Sequence, residues 1–308
     1  MNILVTGGAG FIGSHIADRF IELGHTVVIL DNLTSGALDN VNPKATFIKG
    51  DITDEERVIR LFEEHQFEVV NHHAAQMDVR QSVEDPSFDA NINILGTLNL
   101  LKAGSKTGLK KFMFASTGGA VYGEQQQFPA DENHATNPVS PYGISKLSCE
   151  KYIYYFSLQF GMTYSIQRYA NIYGPRQNPH GEAGVVAIFS KKLVEGAAVT
   201  INGDGLQTRD YVYVSDVVEA NAKALYHQGS ILFNVGTGIE SDVVTLYALL
   251  ASVAGSGARA HHGPAAAGEQ RRSVITAKFA KEALGWEPSR TLEEGLGTTY
   301  QWFVAQLR

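Results

Sequence analysis

The sequence predicts an α/β protein built on a doubly wound parallel sheet with a smaller C-terminal α/β lobe. Short β-rich apolar runs alternate with longer helical stretches from Asn2 to about Arg168, a glycine-rich turn separates the first run from the first helical stretch, and the rhythm loosens beyond Asn171. A chain of 308 residues can bury the core of one large α/β domain or of a sheet domain carrying a smaller partner. The reading adopted is a sheet domain over 1–170 and a second lobe over 171–308, with some segments exchanged between them.

The elements follow in order. NILVT at 2–6 reads as a buried strand, and the helix near 11–23 that follows ends at Gly24, which suits a C-cap. Strands are expected near 26–31 and 46–49, a helix near 54–65, a strand near 69–73, a helix near 88–107 and a strand near 111–116. Ser140 and Pro141 supply the N-cap and first position of a helix near 142–160, and a sixth strand lies near 164–168. Gly174-Pro175-Arg176 and Asn178-Pro179-His180-Gly181 then lead to a helical run near 184–196, taken as part of a lobe over the strand C-termini. Ligands of open α/β sheets bind at that edge, so the cleft between lobes is the expected active site.

Composition narrows the function classes. Apolar residues make up 44% and charged residues 19%, which argues against disorder and against a fibrous protein; the net charge of −7 argues against a nucleic-acid partner. An acidic chain still holds an anionic ligand where arginines and helix N-termini converge. The lone cysteine, Cys149, excludes an intramolecular disulfide and any cysteine-rich metal site, and suits a reducing cytoplasm. The chain opens on a strand rather than a signal peptide, and no apolar run reaches transmembrane length, so no membrane partner is expected.

Thr6-Gly7-Gly8-Ala9-Gly10-Phe11-Ile12-Gly13 places glycines at GxxGxxG spacing between strand and helix. Glycine permits the tight turn, the close backbone approach to a pyrophosphate and the packing of helix on strand, while the helix N-terminus faces the negative charge. This is a Rossmann-type dinucleotide site. Asp31 ends the second strand, where an acid accepts hydrogen bonds from the adenosine ribose and repels a 2′-phosphate; Asn32 rather than a basic residue follows, which favours NAD over NADP. Asp51-Ile52 stands where it could flank the adenine, the plainer reading being a helix-capping turn. His72 and His73 are adjacent at a strand end and point to opposite faces, so a structural role is preferred to metal binding; His261-His262 are read the same way.

Tyr142 and Lys146 stand four residues apart, on one face of one helix. A free phenol titrates near ~10 and is a poor base at neutral pH, so it needs a neighbouring cation, which Lys146 supplies. The positive end of the helix dipole adds to it.

With these motifs in hand, the chain resembles the extended short-chain dehydrogenase/reductase family over essentially its full length, and within it the UDP-glucose (UDP-galactose) 4-epimerase branch. The matching segments are TGGAGFIGSH at 6–15, Asp31-Asn32, HHAAQ at 72–76, ANINILGTLNLL at 90–101, STGGAVYGE at 116–124, SPYGISK at 140–146, RYANIYGPRQ at 168–177 and GDGLQTRDYVYVSD at 203–216. The resemblance implies tightly held NAD contacted by Gly7, Gly10, Phe11, Ile12, Gly13, Asp31, Asn32, Asp51, Ile52, Ala74, Ala75, Asn93, Tyr142 and Lys146. It makes Tyr142 the acid/base at the sugar 4-hydroxyl and Lys146 both its tuning cation and a ligand of the nicotinamide ribose. A Ser or Thr completes the family triad, but Gly118 occupies the usual position; Thr117 is the candidate, with Ser116 the alternative. Related dehydratases and decarboxylases carry an acid in this segment, whereas Gly118 and Gly119 supply none. That leaves oxidation at C4 and its reversal, without net redox change. A silent NAD-binding scaffold would have lost Tyr142, Lys146 and Arg209, all of which are present.

For the UDP-sugar the resemblance points to Thr117, Tyr142, Asn171, Val185, Thr200, Asn202, Arg209 and Glu269. Arg209 pairs with the diphosphate through its planar fork. A second family arginine normally precedes Gly268-Glu269, where this chain has Ala265-Ala266-Ala267; Arg272 or Arg271 could substitute in the diphosphate clamp, the equal alternative being that both are simply solvated. Ser273 is small at a position that limits the sugar pocket, so UDP-GlcNAc/UDP-GalNAc is an alternative substrate pair, as is UDP-glucuronate. The resemblance also implies a homodimer through helices of the 88–107 and 144–160 regions, with Tyr152, Ile153, Tyr155 and Phe156 giving apolar surface, core burial explaining them almost as well.

Overall fold

The computed structural model describes residues 1–179, 184–257, 259–265 and 270–307. The first half runs β1 (Asn2–Thr6), α1 (Phe11–Glu22), β2 (Thr26–Asp31), β3 (Thr46–Lys49), α2 (Glu55–His65), β4 (Val69–His72), α3 (Val79–Glu84), α4 (Pro86–Ala90), a π-helical turn (Asn91–Leu95), α5 (Gly96–Thr107), β5 (Lys111–Thr117), α6 (Pro141–Phe160) and β6 (Thr163–Tyr169). The second half adds β7 (Asn171–Tyr173), α7 (Val185–Val194), β8 (Thr200–Asn202), β9 (Thr208–Arg209), β10 (Tyr211–Tyr213), α8 (Val214–Tyr226), β11 (Ile231–Val235), β12 (Ser241–Asp242), α9 (Val243–Val253), β13 (His261–Gly263), β14 (Arg272–Ser273), α10 (Lys278–Leu284) and α11 (Leu292–Leu307).

The main sheet has seven parallel strands in the order β11-β6-β5-β4-β1-β2-β3. Its order reverses between β1 and β4, and the crevice outside the carboxyl ends of those strands is where such sheets bind ligands. Alternation along β1 sends Ile3 and Val5 into a core with Phe20, Val217, Phe233 and Trp286, and Leu4 into the opposite core with Leu30, Phe62, Leu100, Phe112 and Phe156. The six predicted strands are present. The seventh, β11, comes from beyond residue 171: the chain leaves the sheet after β6, builds part of the second lobe, and returns through α8 to pair β11 with β6.

The helix expected over 88–107 is interrupted by the π-helical turn, a feature frequent at functional sites. Ser140 does cap α6, its hydroxyl accepting from Gly143 N at 3.2 Å, with Pro141 at the first position. The two readings of the α6 apolar residues divide: Ile153 and Phe156 lie in the core, whereas Tyr152, Tyr154, Tyr155, Leu158 and Phe160 are exposed. The second lobe pairs β7 with β10 and β8 with β13, and sets β9 between β12 and β14. Phe189, Leu246, Leu250 and Leu296 from α7, α9 and α11 fill its core. Among the described residues, no helix is long and apolar enough to cross a membrane.

Candidate active site

The glycine turn is held by contacts no larger residue would permit. Gly7 has φ +69°, and a Cβ there would stand 2.6 Å from Ala74 N; a Cβ on Gly13 would stand 2.3 Å from Gly7 O. Gly10 opens α1 without a side-chain cap, so the first-turn amides of Phe11, Ile12 and Gly13 have no acceptor within the helix and face the crevice end of β1. Asp31, almost fully buried, accepts from Ala9 N at 3.0 Å and Leu33 N at 2.8 Å, fixing the turn to the end of β2. Its remaining lone pairs suit ribose hydroxyls.

Asn32 Nδ2 donates to Asp51 Oδ2 at 2.8 Å, bringing two predicted cofactor residues together across β2 and β3. Burial pushes the Asp51 carboxyl up, but hydrogen bonds from Thr53 and Asn32 outweigh it and hold the group below its ordinary value. Asp51 makes the capping turn with Thr53, and buried Ile52 packs against Gly96 while its carbonyl accepts from Asn99 at 3.0 Å. Ala74 N donates to Thr6 Oγ1 at 3.2 Å, and half-buried Ala75 follows. The uncapped helix end, the close backbone approach and the strand-end acid fit NAD.

Asn93 is buried and bonded within the protein. Its amide donates to Gln76 O and Asp89 Oδ1, both at 2.9 Å, and its carbonyl oxygen accepts from Gln76 N at 3.0 Å. With both amide hydrogens used inside the protein, Asn93 shapes the loop after β4 that carries Ala74 and Ala75. His72 and His73 face opposite ways: His72 contacts Thr6 at 2.7 Å and Thr97 at 2.9 Å, and His73 contacts Tyr169 at 3.2 Å. Burial, then the neighbouring Lys146 charge, pushes His73 down to about 3, so it stands neutral.

Tyr142 and Lys146 share one face of α6, with Lys146 Nζ 5.9 Å from the Tyr142 ring centre and 4.8 Å from that of Phe114. The ammonium donates to Ala115 O at 2.9 Å and is buried. Burial pushes it down to about 8, against the opposing pull of Cys149, Asp89 and Glu150.

The two triad hydroxyls part company at the end of β5. Ser116 donates to Glu150 Oε1 at 2.5 Å inside a buried network, where Glu150 also accepts from Arg168 Nε at 3.0 Å and Nη2 at 2.7 Å. Thr117 takes the other side of the strand: a Cβ built on Gly119 would lie 3.7 Å from Thr117 Oγ1 and 4.0 Å from both Asn171 Oδ1 and Ser273 Oγ. At Gly118 a Cβ would stand 2.6 Å from the Cδ1 of buried Ile275, so a side chain there requires Ile275 to shift. The hydroxyl therefore cannot occupy the usual position unless Ile275 moves.

Strand register gathers the rest. Ser273 is the partner of Arg209, and Asn171 of Tyr211, with Asn171 N donating to Asp210 O at 2.9 Å. Arg209 donates to Thr208 O at 2.8 Å. Buried Asp210 accepts from Thr237 and Gly238; desolvation drives its carboxyl up to about 6 despite those bonds. Thr200 and Asn202 are exposed on either side of buried Ile201 in β8, and Asn202 O accepts from Gln207 Nε2 at 3.4 Å. Val185 opens α7, half-buried. Glu269 and Ala266 lie outside the described residues.

Arg272, a candidate for the diphosphate clamp, is engaged by other groups. It is bound two-armed to Glu240 at 2.9 and 2.7 Å and lies 3.7 Å from the centre of the Phe128 ring. Arg271 is likewise bound to Asp204 at 2.8 and 2.9 Å. Sequence reasoning passed over Asp89, Gln76 and Ser145, which the structure bonds to the predicted site; the available signal was an acid four residues before Asn93, on the same helical face.

The sequence profile of the NAD dependent epimerase/dehydratase family matches residues 3–236. The chain is 48% identical over 303 residues to a putative UDP-glucose 4-epimerase of Methanocaldococcus jannaschii, covering 97% of each chain. Its structure is similar to that of a UDP-glucose 4-epimerase of Thermotoga maritima solved with UDP-glucose, at 49% identity, TM-score 0.98 and 100% of each chain. It is similar as well to a Thermus thermophilus UDP-glucose 4-epimerase in complex with NAD, at 42% identity and TM-score 0.93, over 98% of this chain and 99% of that one.

Proposed function

Since the chain belongs to the NAD dependent epimerase/dehydratase family, we propose that it is a UDP-glucose 4-epimerase, interconverting UDP-galactose and UDP-glucose through a 4-keto sugar. The observation that carries this reading is the grouping of Thr117, Asn171 and Ser273 around Gly119, in a segment without an acid, beside the helix that bears Tyr142 and Lys146. NAD, when bound at the glycine turn, supplies a reversible two-electron acceptor for the sugar C4. Tyr142 takes the proton of the 4-hydroxyl and returns it to the same oxygen on either face of the ring. Lys146, protonated below about 8, favours the phenolate. Thr117 hydrogen-bonds the reacting oxygen, and Arg209 with Asn171 holds the diphosphate end, so that the 4-keto sugar turns without leaving.

Purified protein incubated with UDP-galactose, without and then with added NAD, tests this. UDP-glucose should form with no accumulation of NADH. Turnover of only UDP-GlcNAc or UDP-glucuronate would keep the mechanism and change the sugar; silence on all three would overturn the reading. A second reading has its own observation: the residue that borders the pocket beside Thr117 and Asn171 is the small Ser273, its Oγ 4.0 Å from a Cβ built on Gly119. UDP-GalNAc is therefore an expected further substrate, and no turnover at saturation would exclude it. The assembly is a homodimer in the cytoplasm, joined through the exposed face of α6 carrying Tyr152 and Tyr155.

A further inference from the structure

A buried carboxylate joins the two halves of the site. Asp89 on α4 is fully excluded from solvent. Its Oδ1 accepts from Gln76 Nε2 at 3.0 Å and from Asn93 Nδ2 at 2.9 Å; its Oδ2 accepts from Ser145 Oγ at 2.6 Å. Each partner belongs to a different part of the machinery. Gln76 follows Ala74 and Ala75 in the loop after β4, and its side chain also binds the backbone of Asp78, the N-cap of α3. Asn93 clamps the backbone of that loop from the π-helical turn, whose Asn93 carbonyl accepts from Thr97 and Cys149. Ser145 lies between Tyr142 and Lys146 on α6.

A carboxylate placed in such a site without a cation in direct contact is costly unless its lone pairs are filled. Here three neutral donors satisfy both of its oxygens, one from each segment. No cheaper apolar residue could bridge three donors at once, and removing the acceptor would leave all three unpaired. Asp89 is also one of the negative groups that offset the burial of Lys146.

We propose that Asp89 is a positioning residue: by accepting from Gln76, Asn93 and Ser145 together, it fixes the Tyr142–Lys146 helix in register with the cofactor-side loop after β4. The proposal rests on the reading of Tyr142 as the acid/base of 4-epimerisation.

The test uses the full chain as wild type, Asp89→Ala, Asp89→Asn, Ser145→Ala and Tyr142→Phe, with kcat and KM for UDP-galactose, NAD binding and melting temperature measured for each. Misplacing reacting groups by a fraction of an ångström to one ångström lowers turnover by about 10- to 100-fold. Ser145→Ala should lower kcat by about tenfold with KM and NAD binding near wild type, and, since Asp89 Oδ2 loses its donor, should lower the melting temperature by a few degrees without unfolding the protein. Asp89→Ala should lose more turnover and bind NAD less tightly. Asp89→Asn, which keeps an oxygen for Gln76 and Asn93 and offers its amide to the Ser145 oxygen, should restore most of the loss. Wild-type kcat in Ser145→Ala, or Asp89→Asn no better than a folded Asp89→Ala, overturns the proposal; Ser145→Ala decides the matter should Asp89→Ala fail to fold. An inactive Tyr142→Phe beside a fully active Ser145→Ala rejects the positioning role alone, whereas an active Tyr142→Phe rejects the catalytic reading beneath it.

Discussion

Thr117 and Ser116 are adjacent hydroxyls, and their burial partners predict opposite consequences for their removal. Thr117→Val keeps the shape of the side chain and deletes only the hydroxyl that borders Gly119, Asn171 and Ser273. A hydrogen bond to an oxygen that gains charge during reaction is worth about 1.5–3 kcal/mol, which at about 1.4 kcal/mol per decade amounts to about 10- to 100-fold in kcat. Ser116→Ala instead withdraws one donor from Glu150, which retains Arg168 Nε and Nη2 at 3.0 and 2.7 Å. That change should cost about 1–2 kcal/mol of stability, seen as a melting temperature lower by a few degrees, with kcat within about twofold of wild type. Steady-state epimerisation of UDP-galactose paired with thermal melts reads both quantities. A larger kcat loss in Ser116→Ala than in Thr117→Val would refute the assignment and the strand-face argument behind it.

Lys146 should impose an alkaline limb. Its ammonium, pushed down to about 8 by burial, is charged below that pH and lost above it, so kcat/KM should fall as pH rises through about 8; Lys146→Arg, whose charge persists, should abolish this limb where it retains activity, and an unchanged limb would assign the titration elsewhere. Gly13→Ala places a Cβ 2.3 Å from Gly7 O, so NAD titration should show affinity reduced by at least about tenfold and melts a loss of about 1–3 kcal/mol. Glu150→Gln leaves the buried Arg168 guanidinium without a counter-charge, and denaturant unfolding should register a loss of about 3–5 kcal/mol; a loss below about 1 kcal/mol would contradict the importance given to that pair.

Much of this architecture was legible because a parallel sheet writes itself as apolar runs bounded by turn signals. NILVT, TVVILD and the glycine turn between them located β1, β2 and the start of α1. β11 was missed because ILFNV lies beyond the second-lobe segments, and only the crossover through α8 returns it to the sheet. The two- and three-residue strands β8, β9, β12 and β14 are too short for any periodicity to register. In the site, Tyr142 and Lys146 could be paired from helical spacing alone. The sequence prefers Thr117 to Ser116, but the physical ground for that preference, that Ser116 faces Glu150, is a contact made only in the fold. The inward turn of Asn93 toward Gln76 and Asp89, and the capture of Arg272 by Glu240, depend on contacts between segments far apart in the chain.

The most direct measurement of the central claim is isotopic. UDP-galactose deuterated at C4 is converted by the purified enzyme in the presence of excess unlabelled NADH, and the UDP-glucose formed is analysed for deuterium. The account predicts that the product keeps the label at C4 and that added cofactor acquires none, because the 4-keto sugar turns within a closed site while Tyr142 alternates between base and acid. Loss of deuterium to solvent or to the added cofactor during turnover would contradict it.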